Sequence, residues 1–136
     1  MGETLLGSEG GPFEIVNATG ASPYVLVCEH ASNRLPQSVK GLGLPPEALN
    51  MHIAYDIGAE SVARFLARLL DAPLVLQRYS RLIYDCNRPP EADGSMPEVS
   101  ELTAIPGNKN LSAEAKLQRV REVLEHRQGD GAGIVE

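Results

Sequence analysis

Apolar positions fall in short blocks separated by polar, Gly- and Pro-rich stretches, and the spacing within each block predicts its element. Tyr24–Val27 is a run of aromatic and aliphatic residues, the mark of a buried strand. It empties at once into Cys28, Glu29, His30, Ser32 and Asn33. Pro12–Asn17 reads as an earlier strand, closed by the turn residues Gly20, Ser22 and Pro23. Asn33–Leu44 is expected to be loop, and the Pro-Pro-Glu start of Pro45–Leu49 suits a short helix.

The clearest helix spans Asp56–Ala72. Val62, Phe65, Leu66, Leu69 and Leu70 repeat at i, i+3, i+4, i+7 and i+8 to make one apolar stripe, and Asp56 is placed to cap it. Leu74–Gln77 follows as a strand buried on both faces. Strand, helix and strand in this order predict a βαβ unit, hence an α/β fold with a mixed, partly parallel sheet flanked by helices. Leu82–Tyr84 reads as one more strand and Glu91–Asn110 as a long loop. A second helix is expected from Ser112 to His126, with Leu117, Val120, Val123 and Leu124 on its apolar face. The domain reading is a flexible arm over 1–11, one α/β domain over 12–127 and a flexible tail over 128–136.

Composition narrows the partners. The chain has 136 residues and a formal net charge of -6, which gives no electrostatic support to nucleic-acid binding. No apolar run approaches the ~20 residues of a membrane span, and the N-terminus lacks a basic, then apolar, secretory pattern. Two cysteines, Cys28 and Cys86, are too few for a disulfide scaffold and read as small buried side chains. A cytoplasmic protein is expected.

Three groups of residues carry candidate chemistry. His30, at a strand exit where open α/β sheets present their chemistry, is either a metal ligand or a hydrogen-bonded loop histidine. Asp56 is either an ordinary helix cap or a carboxylate that completes a His/carboxylate metal set, with His52 and Glu60 as weaker options. Arg78, Arg81 and Arg88, with Asn87, gather planar guanidinium groups on a strand and its exit loop, suited to a small anionic substrate with more than one carboxylate. Pairing of an arginine with Asp85, Glu91 or Asp93 is the structural alternative.

Four stretches in order, VLVCEHASNRLP, HIAYDIGAESVARFLARLL, LVLQRYSRLIYDCNRPP and IPGNKNLSAEAKLQRVREV, make the chain resemble the N-formylglutamate amidohydrolase family. The resemblance implies a zinc-exopeptidase (carboxypeptidase-like) fold, of which this chain matches the N-terminal half. It also implies zinc-dependent release of formate from N-formyl-L-glutamate in histidine breakdown. It assigns His30 and Asp56 as zinc ligands and Arg81, Asn87 and Arg88 as the grip on the substrate carboxylates. Asn33 stands where related aspartoacylases place a ligating Glu. The match fades after Val123, and a further ligand and a general base are expected from sequence beyond it. Two alternatives share these residues: hydrolysis of another N-acylated acidic amino acid, and a carboxylate-binding module without catalysis. A sheet cut at such a point leaves an apolar edge that favours self-association into a homo-oligomer.

Overall fold

The computed structural model describes residues 4–125. The expected tail over 128–136, the end of the expected domain at 126–127 and His126 lie outside the described residues.

β3 (Leu74–Gln77) is the centre of the fold. All four of its residues are buried, as a continuous Leu-Val-Leu run predicts for a strand covered on both faces. β1 (Phe13–Val16) lies antiparallel on one side and β2 (Leu26–Cys28) parallel on the other, giving the order β1-β3-β2. The sheet is therefore mixed. β2 reaches β3 through α1 (Ala59–Leu70), so the βαβ unit forms as the pattern predicts. The β1–β2 connection is tied down by Asp71, whose carboxylate accepts from Asn17 Nδ2 at 3.0 Å and from the Ala21 amide at 3.1 Å.

α1 departs from its expected setting in two ways. It starts after Gly58, and Asp56 makes no side-chain cap. Its large apolar stripe does not face the sheet. Ala67 is buried in a small core with Cys28, Leu74 and Leu76, with Ala59 and Ala63 packed against it, while Phe65 and Leu69 are 56% and 68% exposed. Alanines on the inner face let the helix lie close to the strands. The Tyr24–Val27 block is likewise not a buried strand. β2 is an edge strand, and Tyr24, Val25 and Val27 are exposed.

The larger core lies beyond the sheet and is built from turns. Leu82–Tyr84 is not a strand: Ser80–Ile83 closes a tight turn in which the Ile83 amide donates to the Ser80 carbonyl at 3.0 Å. The carbonyls a ladder would have used accept from side chains instead, Leu82 from Asn108 Nδ2 at 2.8 Å and Ile83 from Arg119 Nη1 at 3.0 Å. A fully apolar run has no period to distinguish a strand from a buried turn. The Asn33–Leu44 segment contains a 3₁₀ run, Gln37–Gly43, in which Lys40, Gly41 and Leu42 take left-handed backbone angles and Leu42 enters the core. The short helix after Pro45 is a 3₁₀ turn, Pro46–Asn50. The expected 91–110 loop holds a small hairpin, β4 (Val99–Ser100) with β5 (Thr103–Ala104), and a 3₁₀ turn, Pro106–Asn108.

α2 (Ala113–Arg119) is capped by Ser112, whose Oγ accepts from the Ala115 amide at 3.0 Å, and it continues as a π-helical turn over Val120–Glu125. That turn corrects the reading of 1–11 as a loose arm for the part described. Glu122 accepts from the Leu5 and Leu6 amides at 2.8 and 3.0 Å, and both leucines are buried in the core with Val123. Among the described residues no helix is long and apolar enough to cross a membrane.

Arg119 is 4% exposed, and burial pushes its pKa down to about 10. Its Nη1 also donates to Asn108 Oδ1 at 2.8 Å, so one guanidinium joins both turns of this core. Arg119→Met keeps the aliphatic stem and leaves the Ile83 carbonyl and Asn108 without that donor. The expected loss is about 1–3 kcal/mol per unpaired group, read from the urea midpoint at unchanged m-value.

Candidate active site

The polar exit of β2 meets two other segments. The His30 carbonyl accepts from the Asp56 amide at 2.9 Å, which holds the loop before α1 against the end of β2. The turn after β3 then brings in Arg81 and Asp85. Three chain segments converge on one imidazole.

His30 sits between two carboxylates. Its Nε2 is 2.7 Å from Asp85 Oδ1, and its Nδ1 is 3.2 Å from Asp56 Oδ2. Asp85 is nearly buried and well supplied with donors: the Asn87 amide lies 3.0 Å from Oδ1 and Arg88 Nε 3.3 Å from Oδ2. The hydrogen bond to Asp85 is the strongest influence raising the His30 pKa above its ordinary value. Partial burial opposes it, and Asp56 adds to it. For Asp85 the largest single influence is burial, which pushes the carboxyl up. The donors from His30, Asn87 and Arg88 together outweigh it and hold the pKa below the usual value.

Arg81 binds the loop before α1 from the other side. Its Nε donates to the Ile53 carbonyl at 2.9 Å, its Nη2 to the His52 carbonyl, and its Nη1 to Asp56 Oδ1 at 3.2 Å, with His30 Nδ1 at 3.3 Å from the same Nη1. Ser80 Oγ adds a bond of 2.7 Å to the Ala54 carbonyl. Asp56 is therefore not a cap, because its carboxylate is engaged by a guanidinium and an imidazole. Charge-assisted bonds of this kind outweigh one neutral amide donor.

An open cavity of about 610 Å³ runs from this cluster between β2 and α1, with Cys28, His30, Asp56, Val62, Leu66 and Asn87 among its walls. Asn87 and Arg88 are both on the surface. Arg88 is folded over Gly94, where a Cβ would come within 2.9 Å of its guanidinium. Arg78 lies apart, against Gly10 on the β1 side of the sheet. Asn33 serves the backbone, with Nδ2 donating to the Leu49 carbonyl at 2.7 Å. His52 pairs with Glu101 at 2.9 Å on the surface. Burial, then the nearby Glu60, Asp56 and Glu29 charges, raises the Cys28 pKa, so the thiol stays protonated, and Cys86 is a buried neighbour of Gln77.

His30, Asp56 and Arg81 thus come together, Asn87 reaches the cavity wall, and Arg88 joins through Asp85. The central part of Asp85 was visible beforehand only as a partner for arginine; its place in the Asp-Cys-Asn-Arg stretch was the available signal. His30 and Asp56 are also spaced as two ligands of one ion would be. Their 3.2 Å separation is close to the edge of about 3.3 Å set by two ligands about 2.0–2.1 Å from a tetrahedral zinc. Among the described residues no group of three or more His, Cys, Asp or Glu side chains is arranged to hold a metal.

A family model described as N-formylglutamate amidohydrolase matches residues 22–126. The chain belongs to the N-formylglutamate amidohydrolase family. Among solved structures it is similar to the crystal structure of gene product Atu2144 from Agrobacterium tumefaciens, with 41% identity and a TM-score of 0.82. That match covers 91% of this chain and 54% of the Agrobacterium chain, so this chain spans about half the length of that protein. Among curated proteins no match is found.

The two shifted groups set a pH window for stability. His30 titrates above the 6.5 of the unfolded chain, so its contribution is complete below 6.5 and is lost as pH rises through the raised value. Asp85 titrates below its unfolded 3.8, so its contribution is present above 3.8 and is lost as pH falls through the lowered value. Both therefore act together between pH 3.8 and 6.5. In Asp85→Asn the His30 pKa, followed by NMR, should fall and the stability should lose its maximum in this window.

Proposed function

We propose that this chain supplies the metal-binding and carboxylate-gripping part of a zinc-dependent amidohydrolase acting on N-formyl-L-glutamate. The observation that carries the proposal is His30 held between Asp85 and Asp56 at the mouth of the cavity. A ligating histidine gains basicity and a set tautomer when its other N–H is given to a carboxylate. Asp85 is placed to accept that proton from Nε2, which leaves Nδ1 as the ligand atom beside Asp56.

When bound there, zinc supplies a water with a pKa lowered to ~7 and a Lewis acid for the formyl carbonyl. The chain's own residues do the rest of what is assigned to it. Asp85 fixes the His30 ring. Arg88, oriented through its Nε by Asp85, and Asn87 on the cavity wall grip the glutamate carboxylates and so orient the amide. Arg81 joins that grip by exchanging its contact with Asp56 for a substrate carboxylate. The cavity, at about 610 Å³, admits a molecule the size of an N-acyl amino acid. The mixed sheet with its site at the parallel strand exit accords with a carboxypeptidase-like fold. The general base is not assigned to a described residue.

Formate release from N-formyl-L-glutamate by the zinc-loaded protein, together with zinc affinity from competition with a chelator, tests the reading. His30→Ala should abolish both, and Asp85→Asn should weaken zinc binding by about 10–100-fold. Arg88→Ala should raise KM by about 10–100-fold, the effect of losing one charge-assisted contact of about 1.5–3 kcal/mol. Formate release that survives both chelation and His30→Ala would sink the zinc role. Tight glutamate binding by calorimetry without zinc uptake would favour a carboxylate-binding module.

A further inference from the structure

Gly94 lies under the Arg88 guanidinium for no reason of its own backbone. Its φ is outside the left-handed region, in contrast to Gly43 and Gly58, so the turn it occupies would accept a side chain. Glycine here also leaves the unfolded chain freer than alanine would, a destabilising choice that the turn does not require. At Gly20 and Gly107 an added Cβ would meet backbone, the Asp71 carbonyl oxygen at 2.5 Å and Leu42 Cα at 2.6 Å. At Gly94 the three nearest atoms all belong to Arg88: Nη1 at 2.9 Å, Cζ at 3.1 Å and Nε at 3.3 Å. Distances this similar place the flat of the guanidinium, rather than one corner, against the glycine. The loop behind it is pinned. The Ser95 amide donates to the Ala92 carbonyl at 3.0 Å, Ser95 Oγ to the Pro90 carbonyl at 2.9 Å, and the Ser95 carbonyl accepts from the Asp85 amide at 2.8 Å. The Arg88 backbone is fixed as well, its amide donating to the Asp85 carbonyl at 3.0 Å and its carbonyl accepting from Tyr84 Oη at 2.8 Å. The Arg88 side chain is held through Nε, 3.3 Å from Asp85 Oδ2, and is 55% exposed. A side chain at position 94 would therefore move the guanidinium and not the loop.

We propose that Gly94 is a positioning residue for Arg88: its bare Cα is the surface on which the guanidinium lies flat, with Nε on Asp85 and the exposed fork offered to a substrate carboxylate. The inference rests on the role proposed above for Arg88 in gripping that carboxylate. A planar fork takes a carboxylate through two parallel bonds when the two groups share a plane. One bond from Nε to Asp85 leaves that plane free to turn about the side chain. The contact with Gly94 fixes it, and so sets the direction from which a carboxylate is accepted.

Gly94→Ala in the zinc-loaded protein should raise KM for N-formyl-L-glutamate by about tenfold, the low end for loss of one charge-assisted contact, with kcat within about twofold. Circular dichroism should be unchanged and the urea midpoint should not fall, because the turn accepts alanine. The effect on KM should vanish in the Arg88→Ala background, where there is no guanidinium to displace. A glycine needed only for the fold would lower the urea midpoint and act equally in both backgrounds. A second readout needs no turnover: the Arg88 Nε–Hε NMR signal, assigned by its loss in Arg88→Ala, should lose its protection from solvent exchange in Gly94→Ala. An unchanged Nε–Hε signal, an undiminished effect on KM in the Arg88→Ala background, or a lowered urea midpoint would each overturn the proposal. Loss of Nε–Hε protection in a protein that releases no formate would uphold Gly94 as the support of Arg88 and count against the hydrolase reading alone.

Discussion

The local order of this protein depends on one imidazole shared by two carboxylates. His30 leaves an edge strand only three residues long, Asp56 belongs to a loop, and Asp85 follows a tight turn. None of these segments has a ladder to position it there. The His30–Asp85 contact and the Arg81 clamp on the 52–56 loop substitute charge-assisted bonds for regular secondary structure. Such bonds are strong because His30, Asp85 and Arg81 are partly withdrawn from water. The same arrangement that steadies the site also presents Nδ1 of His30 beside the Asp56 carboxylate.

Behind the site the chain divides its hydrophobic residues unusually. A strand buried on every side and a patch of alanines make the contact between sheet and α1, and a separate core of turns lies beyond. Small side chains set a short distance between helix and sheet and leave the large ones outside. Burying Phe65 or Leu69 would be worth about 1.5–3 kcal/mol for each side chain, and the described residues leave that gain unused. The cavity lies at the boundary of this uncovered face, with Val62 and Leu66 of α1 in its wall.

Regular elements with a period were legible in advance. The βαβ unit, the Ser112 cap and the covered central strand follow from spacing and cap chemistry that act within a few residues. Failures fall where a run has no period or where direction matters. Leu82–Tyr84 is apolar throughout, so strand and buried turn look alike until Asn108 and Arg119 are seen supplying the carbonyls with donors. The arm was misread because the pull on Leu5 and Leu6 comes from Glu122, over a hundred residues away.

By itself the sequence determined that this is an α/β chain of the N-formylglutamate amidohydrolase family, and it singled out His30, Asp56 and the Arg81–Arg88 stretch as the candidates for its chemistry. These follow from residue types and short spacings, which survive without knowledge of contacts. Only the tertiary structure decided that Asp56 serves His30 and Arg81 rather than the helix, that Asp85 is the buried partner of the histidine, and that Arg78 lies elsewhere. Only it decided which side of α1 meets the sheet. An amphipathic stripe states that a helix has an apolar face; which neighbour covers that face is a property of the packing, and here alanines took the inner position.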